Sequence, residues 1–407
     1  SDVSSLKAGS KKIEDKPVIA VLAFTNTSGD ASQEYFTDGI SEDIITDLSK
    51  SPGLSVIARQ SSFSFKNRDL STKEIARELG ADYILDGNMR KAGKRVRISA
   101  QLVDVSDEKQ LWAERYDHEL DDIFAVQDDV TKKIVSALEV TFGQSDDEQR
   151  KYHKPSSLEA YDCVLRGVEY ARYSSREDLM QAQALFRKAI SLDPEYAEAY
   201  ARLSRLYVYQ WISGFDNVAK SILDEALDLA NRAVELCPHS ALPHASLGWV
   251  HQWLDDNAQA MTEWRRAIEL DPNQTEALNW LSLNLSWSGN TAEAREKLDC
   301  ARRLNPLEKY YFPRGMIAFM NIDYEDAKNL FEKLIIQDRA FIPGHLFLAA
   351  SYSILGLKEQ AAAAINNIFQ INPDFKISRS IKGRIKVPAI AEVFRQHLLE
   401  LGLPLVD

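Results

Sequence analysis

Five side chains in the second half of the 407-residue chain are of types that bind another polypeptide rather than types that make or break covalent bonds. They are an arginine, a tryptophan, two carboxamides and a leucine: Arg205, Trp249, Gln252, Asn279 and Leu283. Tryptophan and arginine are enriched among the residues that contribute most to binding at protein interfaces. We predict that the five residues line a concave groove that binds an extended peptide or a helix. Three further residues are expected at the edge of this groove: Glu198, Glu276 and Leu346.

Sequence patterns that support catalysis or cofactor binding do not occur in the chain. It contains no GxxxxGK[ST], GxGxxG, GxSxG or HExxH. Its three cysteines, Cys163, Cys237 and Cys300, are far apart and lack metal-binding spacing, so we expect free, buried thiols. We therefore predict that this chain is not an enzyme and has no catalytic residue, cofactor or metal ion.

A repeat with a period of 34 residues must position the predicted groove. Three prolines stand 34 residues apart: Pro238, Pro272 and Pro306. Each ends a helical run, because proline lacks the backbone N–H that a helix interior needs. Small residues seven apart, such as Ala260 and Ala267, share one helix face and let a neighbouring helix approach closely. A fixed period of this length is typical of a solenoid, and residues 158–373 are predicted to contain six helical repeats. A last helix within 374–407 is expected to cap the apolar end of the array.

Residues 16–143 predict a mixed α/β domain. Apolar runs at 16–24 and 54–58 predict strands, and each is followed by a predicted helix. Alternating apolar residues after position 81 predict a hairpin that turns at Ala92 and Gly93, followed by a third strand. Strand–helix units favour parallel pairing, whereas hairpins add antiparallel strands, so the sheet is expected to be mixed.

Shorter signals refine this domain. Ser71, with Glu74 three residues later and Gly80 at the end, predicts a capped helix. Phe63 and Phe65 are expected on one side of an extended segment. Acidic residues are expected to cap the long helix that closes the domain.

Charge and hydropathy exclude some functions. The formal net charge is −12, and residues 1–150 alone carry 20 basic and 28 acidic side chains, so nucleic-acid binding by this region is not expected. No run of about 18 apolar residues predicts a transmembrane span. The polar residues 1–15 and 144–157 are expected to be linkers.

The repeats resemble the tetratricopeptide repeat, a family of right-handed α-solenoids. Five motifs of the α/β domain, "PVIAVLAF", "YFTDGISEDIITDLSK", "LSVIARQSSFSFK", "IARELGADYILDGNMRKAGKRVRISAQLVDVSDEKQLWAERYD" and "DIFAVQDDV", resemble the TolB-like module that precedes such repeats in bacterial signalling proteins. In that family an N-terminal effector is a class III adenylate or guanylate cyclase domain, or else a winged-helix DNA-binding domain of a transmembrane activator. The resemblance covers residues 16–373 and implies activity in a domain that this chain does not contain.

The resemblance supports one leading hypothesis and two alternatives. We expect a non-catalytic sensory region, most often of a cyclase, which binds a protein or peptide in the groove and can form a homodimer. The alternatives are the sensory region of a transcription activator and an envelope scaffold. A membrane helix before Ser1 would place these residues in the periplasm, which we favour over the cytoplasm, and the membrane would be reached only through that segment.

Overall fold

A computed structural model describes most of the chain: residues 16–138, 155–172, 175–213, 221–373, 375 and 384–403. The chain divides into two compact units, Ser1–Arg150 and Lys151–Asp407, and each has its own buried apolar residues. The predicted linker at 1–15 and most of the one at 144–157 lie outside the described residues.

The first unit contains a mixed sheet, as predicted. Its strands are β1 (Val18–Val21), β2 (Thr25–Asn26), β3 (Ser55–Val56), β4 (Tyr83–Ala92), β5 (Arg95–Asp104) and β6 (Lys109–Glu119). The order is β3-β1-β4-β5-β6, with β2 paired to β4. β1 runs parallel to β3 and β4, whereas β4, β5 and β6 are antiparallel. The helices of this unit are α1 (Glu34–Ser49), α2 (Arg59–Phe63), α3 (Thr72–Leu79) and α4 (Ile123–Ala137).

The β4–β5 hairpin follows the predicted alternation. Val96, Ile98, Ala100 and Leu102 are all buried, because successive side chains of a strand point to opposite faces. Ala92 pairs with Arg95, so the two-residue turn is Gly93–Lys94, one position later than predicted. The change follows from the backbone, since Gly93 has a φ of +61°, which glycine adopts without strain.

Three local predictions of the first unit have different outcomes. The Ser71 capping box and the left-handed Gly80 that ends α3 are confirmed. The extended segment with Phe63 and Phe65 is wrong, because Phe63 ends the short helix α2 and only Phe65 is fully buried. The acidic start of α4 is confirmed in part: Asp122 is its N-cap residue and Asp121 precedes it in a 3-10 turn, but the Asp122 side chain makes no capping hydrogen bond.

The second unit is built from helix pairs. Twelve helices of the described residues form six consecutive pairs, one for each predicted repeat, as in a tetratricopeptide-like solenoid: α5 (Leu158–Ala171), α6 (Arg176–Leu192), α7 (Ala197–Ile212), α8 (Ser221–Leu236), α9 (Ala241–Trp253), α10 (Asn257–Leu270), α11 (Thr275–Trp287), α12 (Thr291–Leu304), α13 (Tyr311–Met320), α14 (Tyr324–Gln337), α15 (Ile342–Ile354) and α16 (Lys358–Ile371).

A glycine facing a large aromatic ring fixes the two helices of a pair in three of the repeats. A Cβ on Gly167, Gly248 or Gly315 would lie 2.5–2.7 Å from a ring of the second helix. These rings are those of Phe186, Trp264 and Phe331, and all three are almost fully buried. The missing Cβ is therefore what lets the second helix approach the first.

One more helix, α17 (Pro388–Glu400), follows the repeats. We predicted an end cap, but α17 packs against α15, and the Phe394 ring contacts Phe319 of α13 as well as Phe347 of α15. It therefore lies on first helices of the last two repeats. Its buried residues Ile390, Phe394 and Leu398 recur every four positions, which places them on one helix face.

Candidate protein-binding surface

The first helices of the repeats form one surface, which we call the first-helix face. It comprises residues of α7, α9, α11, α13 and α15 that do not pack against their own second helix. α7 packs directly on α9, and α11 on α13. Side chains from different repeats therefore meet on this face, as the predicted groove required.

Arg205 and Trp249 are brought together on the first-helix face, as the sequence predicted for a shared surface. Arg205 Nη2 donates to both carboxylate oxygens of Glu276, at 2.6 and 2.7 Å. The Arg205 guanidinium also lies over the Trp249 ring, 5.4 Å from the ring centroid. The ion pair of Arg205 and Glu276 thus connects repeats two and four, and Trp249 of repeat three lies beside it. Both charged side chains are only partly exposed, at 23% and 34%, so solvent screens this pair less than a free surface pair.

Trp249 belongs to a cluster of three indoles. Its ring centroid is 6.2 Å from that of Trp280, which in turn stacks on the buried Trp264 at 6.1 Å. Trp249 and Asn279 are half-buried. In the described part of the chain, the Trp249 Nε1 donor and the Asn279 Oδ1 acceptor are buried without a hydrogen-bond partner. Burial of such polar groups without a hydrogen bond is unusual in folded proteins.

Gln252 is not an exposed residue of the groove, contrary to prediction. Its side chain is fully buried, and its Oε1 accepts a hydrogen bond of 2.7 Å from Asn284 Nδ2. The Gln252 amide also donates to Asn257 Oδ1 at 3.3 Å. Gln252 can be buried because Asn284 of α11, which was not predicted to take part, donates a hydrogen bond to its side-chain carbonyl between α9 and α11. Gln252 therefore positions these helices.

Leu283 and Leu346 are also buried, at 5% and 0% exposure. Leu283 belongs to an apolar cluster that contains residues of the C-terminal segment, among them Ile385, Ile390 and Phe394. The prediction of an open position was wrong, because Leu283 packs into a buried apolar cluster that also contains residues of the last two repeats. Glu198 is half-buried and pairs with Arg202 at 2.9 Å, on the first helix of repeat two.

A second aromatic pair lies on this face and was not predicted. Trp253 and Trp287 end α9 and α11, and the guanidinium of Arg384 lies over both rings, 5.4 and 5.0 Å from their centroids. Burial lowers the pKa of Arg384, and the charge of Asp255 opposes that shift. The signal was present in the sequence, because Trp253 and Trp287 are 34 residues apart and so hold the same repeat position.

The first unit carries a polar cleft of about 300 Å³ beside the end of β1. Lys66 lines it and pairs with Glu34 at 2.6 Å and with the buried Asp38. Asp86 also lines it, and burial raises the pKa of that carboxyl, while the Gly87 N–H donates to it at 2.7 Å. Asp38, which lies in α1, is therefore part of an internal ion pair.

Other expected features concern thiols, metals and membranes. Cys163 and Cys237 are buried and Cys300 is half-buried, and burial raises the pKa of Cys163. Among the residues that the structure describes, no three His, Cys, Asp or Glu side chains come together in a way that could hold a metal ion. Within the same ranges, no helix is both long and apolar enough to cross a bilayer.

Comparison with protein families matches part of the first unit. Residues 14–135 match the family described as "HilA/YgeH-like transcriptional regulator, second domain". This range contains the whole sheet, α1 to α3 and all but the last two residues of α4. The match covers less than a third of the 407 residues, so it describes what the first unit is similar to.

Among curated proteins, the chain is 41% identical over 239 residues to "Putative adenylate cyclase 3" of Rhizobium meliloti (strain 1021). That alignment covers 59% of this chain and 41% of the relative, so the chain spans about two fifths of the relative's length.

Solved structures are similar at lower identity. A tetratricopeptide repeat protein from Parabacteroides merdae is 17% identical, with a TM-score of 0.38, over 60% of this chain and 93% of the other. TolB from Acinetobacter baumannii is 20% identical, with a TM-score of 0.24, over 32% of this chain and 30% of the other.

Proposed function

We propose that this chain is a non-catalytic, protein-binding sensory region of a bacterial signalling protein whose effector is an adenylate or guanylate cyclase. The observation that carries the binding role is the first-helix face, where Arg205 and Trp249 meet and unpartnered polar atoms remain. Arginine and tryptophan held by neighbouring contacts lose little conformational freedom when a ligand arrives, which favours binding. The 41% identity to a protein named as a cyclase supports the choice of effector.

In this proposal the first unit is the TolB-like module that connects the effector to the repeats. Its carboxylates and cations pair internally, as Lys66 does with Glu34 and Asp38, which suits a module that transmits rather than binds. A ligand on the repeats would bias the effector through the difference in its affinity for two states of the protein.

A second candidate function has support of its own. The match of residues 14–135 to the second domain of HilA/YgeH-like transcriptional regulators favours a parent protein that controls transcription. The same sensory region would then report to a DNA-binding domain. The two candidates share the binding surface and differ only in the effector.

We also propose a periplasmic location for this region, in a parent protein anchored by a membrane helix. A fusion of the parent protein to alkaline phosphatase at Asp407 tests it, because that enzyme folds only where disulfides form. Phosphatase activity is the expected result, and its absence from a stably expressed fusion would place the region in the cytoplasm.

The identity of the effector is tested by expressing the full-length gene of the parent protein in bacteria that lack their own adenylate cyclase. Cyclic AMP should accumulate, and Arg205→Glu should change its level at least about fivefold, the lower range of typical couplings between sites. The matched control is Arg232→Glu, since Arg232 lies on a second helix in an exposed pair with Glu235.

Arg232→Glu should leave the cyclic AMP level unchanged. Absence of both cyclic AMP and cyclic GMP from cells that carry the wild-type gene would contradict the cyclase proposal and favour the transcriptional candidate. Equal effects of the two arginine substitutions would contradict a special role of the first-helix face.

A further inference from the structure

The C-terminal segment, defined as residues 384–403, lies along the first-helix face from repeat three to repeat six. We infer that this segment is an intramolecular ligand, and that the partner of the face is an amphipathic helix of the same pattern, preceded by an arginine, which binds by displacing it. This inference rests on the proposed binding function and adds the partner class and its regulation.

The segment begins with a cation held between two aromatic rings. The Arg384 guanidinium lies 5.4 Å from the centroid of Trp253 and 5.0 Å from that of Trp287. The electron-rich faces of tryptophan attract a cation, and arginine is the residue that most often uses this contact. The negative charge of Asp255 acts on the same guanidinium. The two rings together form a subsite that suits the planar guanidinium of arginine.

The next residues bind as an extended peptide. The Lys386 N–H donates to the Trp287 carbonyl oxygen at 2.8 Å, where α11 ends and its last carbonyls lack helical partners. The Val387 side chain lies against Gly289, so closely that a Cβ on that glycine would be 2.8 Å from it. The backbone contact and the close fit fix the register of the segment on repeat four.

The helix α17 then occupies repeats five and six. Ile390, Phe394 and Leu398 point into the apolar cluster, with exposures of 7%, 4% and 0%. The Phe394 ring stacks on Phe347 at 4.7 Å and meets Phe319 edge-on at 6.0 Å. Binding of apolar residues at i, i+4 and i+8 into a groove is one of the recurring ways in which proteins recognise helices.

The fit of the segment is incomplete at its first end. The indole Nε1 atoms of Trp253 and Trp287 are buried, and neither has an acceptor in the described part of the chain. A ligand that supplies an acceptor to either indole gains a hydrogen bond that the segment does not make. The segment is nevertheless retained, because its covalent connection gives it a high effective concentration.

Binding of a synthetic peptide in solution tests the inference. The probe is a fluorescein-labelled peptide with the sequence of residues 384–403, and its anisotropy is followed with the full chain. The variants Phe394→Ala and Phe394→Asp/Leu398→Asp weaken the segment of the chain itself. Each should bind the peptide at least about tenfold more tightly than the wild type, since loss of one large buried side chain changes affinity by this factor or more.

Controls within the peptide establish which contacts matter. A peptide with Phe394→Ala should lose at least about tenfold in affinity, whereas one with Arg395→Ala should bind as before, because Arg395 pairs with Glu392 on the solvent side. Circular dichroism of each chain variant should show the helical content of the repeats. Amides of 388–400 should exchange faster in the variants than in the wild type.

Four results would overturn the inference. They are equal peptide affinity for wild type and variants, no binding to any chain, unchanged exchange of 388–400 in both variants, and a dimer that forms by exchange of segments between two copies. If the peptide does not bind the variants more tightly than the wild type, while Arg205→Glu still changes the cyclic AMP level, the inference is contradicted but the proposed function is not. If peptide binding succeeds and Arg205→Glu has no effect, the proposed function falls instead.

Discussion

A missing Cβ decides how closely the helices of a repeat approach. In an exposed helix, Gly→Ala stabilises by about 1 kcal/mol, because alanine has the higher helix propensity. At Gly248 we expect the opposite sign, since the new Cβ would lie 2.7 Å from Trp264 Nε1. Overpacking of this kind lowers the free energy of unfolding by about 1–3 kcal/mol. Urea unfolding followed by tryptophan fluorescence measures it.

Repeat four supplies the control for this substitution. There Ser282 holds the position of the glycine and Leu298 that of the large ring, and both are buried. The double variant Gly248→Ala/Trp264→Leu should therefore lose less stability than the sum of the two single variants. Strict additivity would show that the ring does not limit the approach of the helices.

The buried carboxyl of Asp86 gives the first unit a pH dependence. Burial raises its pKa in the folded state above the unfolded value of about 3.9. The folded state therefore holds the proton more tightly, and the contribution of this group to stability falls as pH rises through the folded pKa. Asp86→Asn should remove that loss. The free energy of unfolding of the variant, relative to that of the wild type, should therefore increase from pH 4 to pH 7.

Hydrogen exchange of the β4 and β5 amides, corrected for the intrinsic effect of pH, measures this difference. The subtraction of wild type from variant cancels the other titrating groups that the two proteins share. A difference that stays constant with pH would contradict an elevated pKa. A variant that becomes relatively less stable as pH rises would show that hydrogen bonds to the carboxylate outweigh burial.

Residue types and repeat position predicted which side chains belong to the face, but not their exposure. Arg205 and Trp249, both predicted for the face, lie in contact with each other. Gln252 and Leu283 were expected in the open, yet Asn284 Nδ2 donates a hydrogen bond to Gln252, and Leu283 belongs to a buried apolar cluster. Position within a repeat determines the direction of a side chain. It does not determine what a distant residue places on top of it.

At the scale of elements, local signals predicted best where they act within a few residues. The capping box of Ser71 and Glu74 and the hairpin strands are examples, because both depend on neighbours in the sequence. The prediction for the segment "RQSSFSFK" was wrong, because its conformation depends on packing with residues outside the segment. Its alternating phenylalanines suggest a strand, whereas burial of Ser61, Ser62 and Phe65 in the unit favours a short helix and turns.

The C-terminal helix shows what periodicity cannot predict. The 34-residue period predicts contacts between neighbouring repeats, because each repeat packs mainly on the next. α17 stands outside the period, so nothing in its sequence specified a position on α13 and α15 rather than at the end of the array. Its four-residue apolar spacing predicted only that one of its faces is buried.

At the scale of the whole molecule, the two units have different proposed roles. The first unit contains the sheet and internal ion pairs. The second unit presents a surface composed of first helices, whose aromatic and arginine side chains suit a polypeptide ligand. The second helices support that surface from behind through the small residues that let them approach.

Hydrogen exchange of the Phe394→Ala chain, with and without the 384–403 peptide, tests most directly whether the first-helix face is the binding surface. Slower exchange is expected in α9, α11, α13 and α15, which line the first-helix face. The second helices α10, α12 and α14 should be unchanged. Protection confined to those second helices, or to the sheet of the first unit, would contradict the claim that the first-helix face is the binding surface.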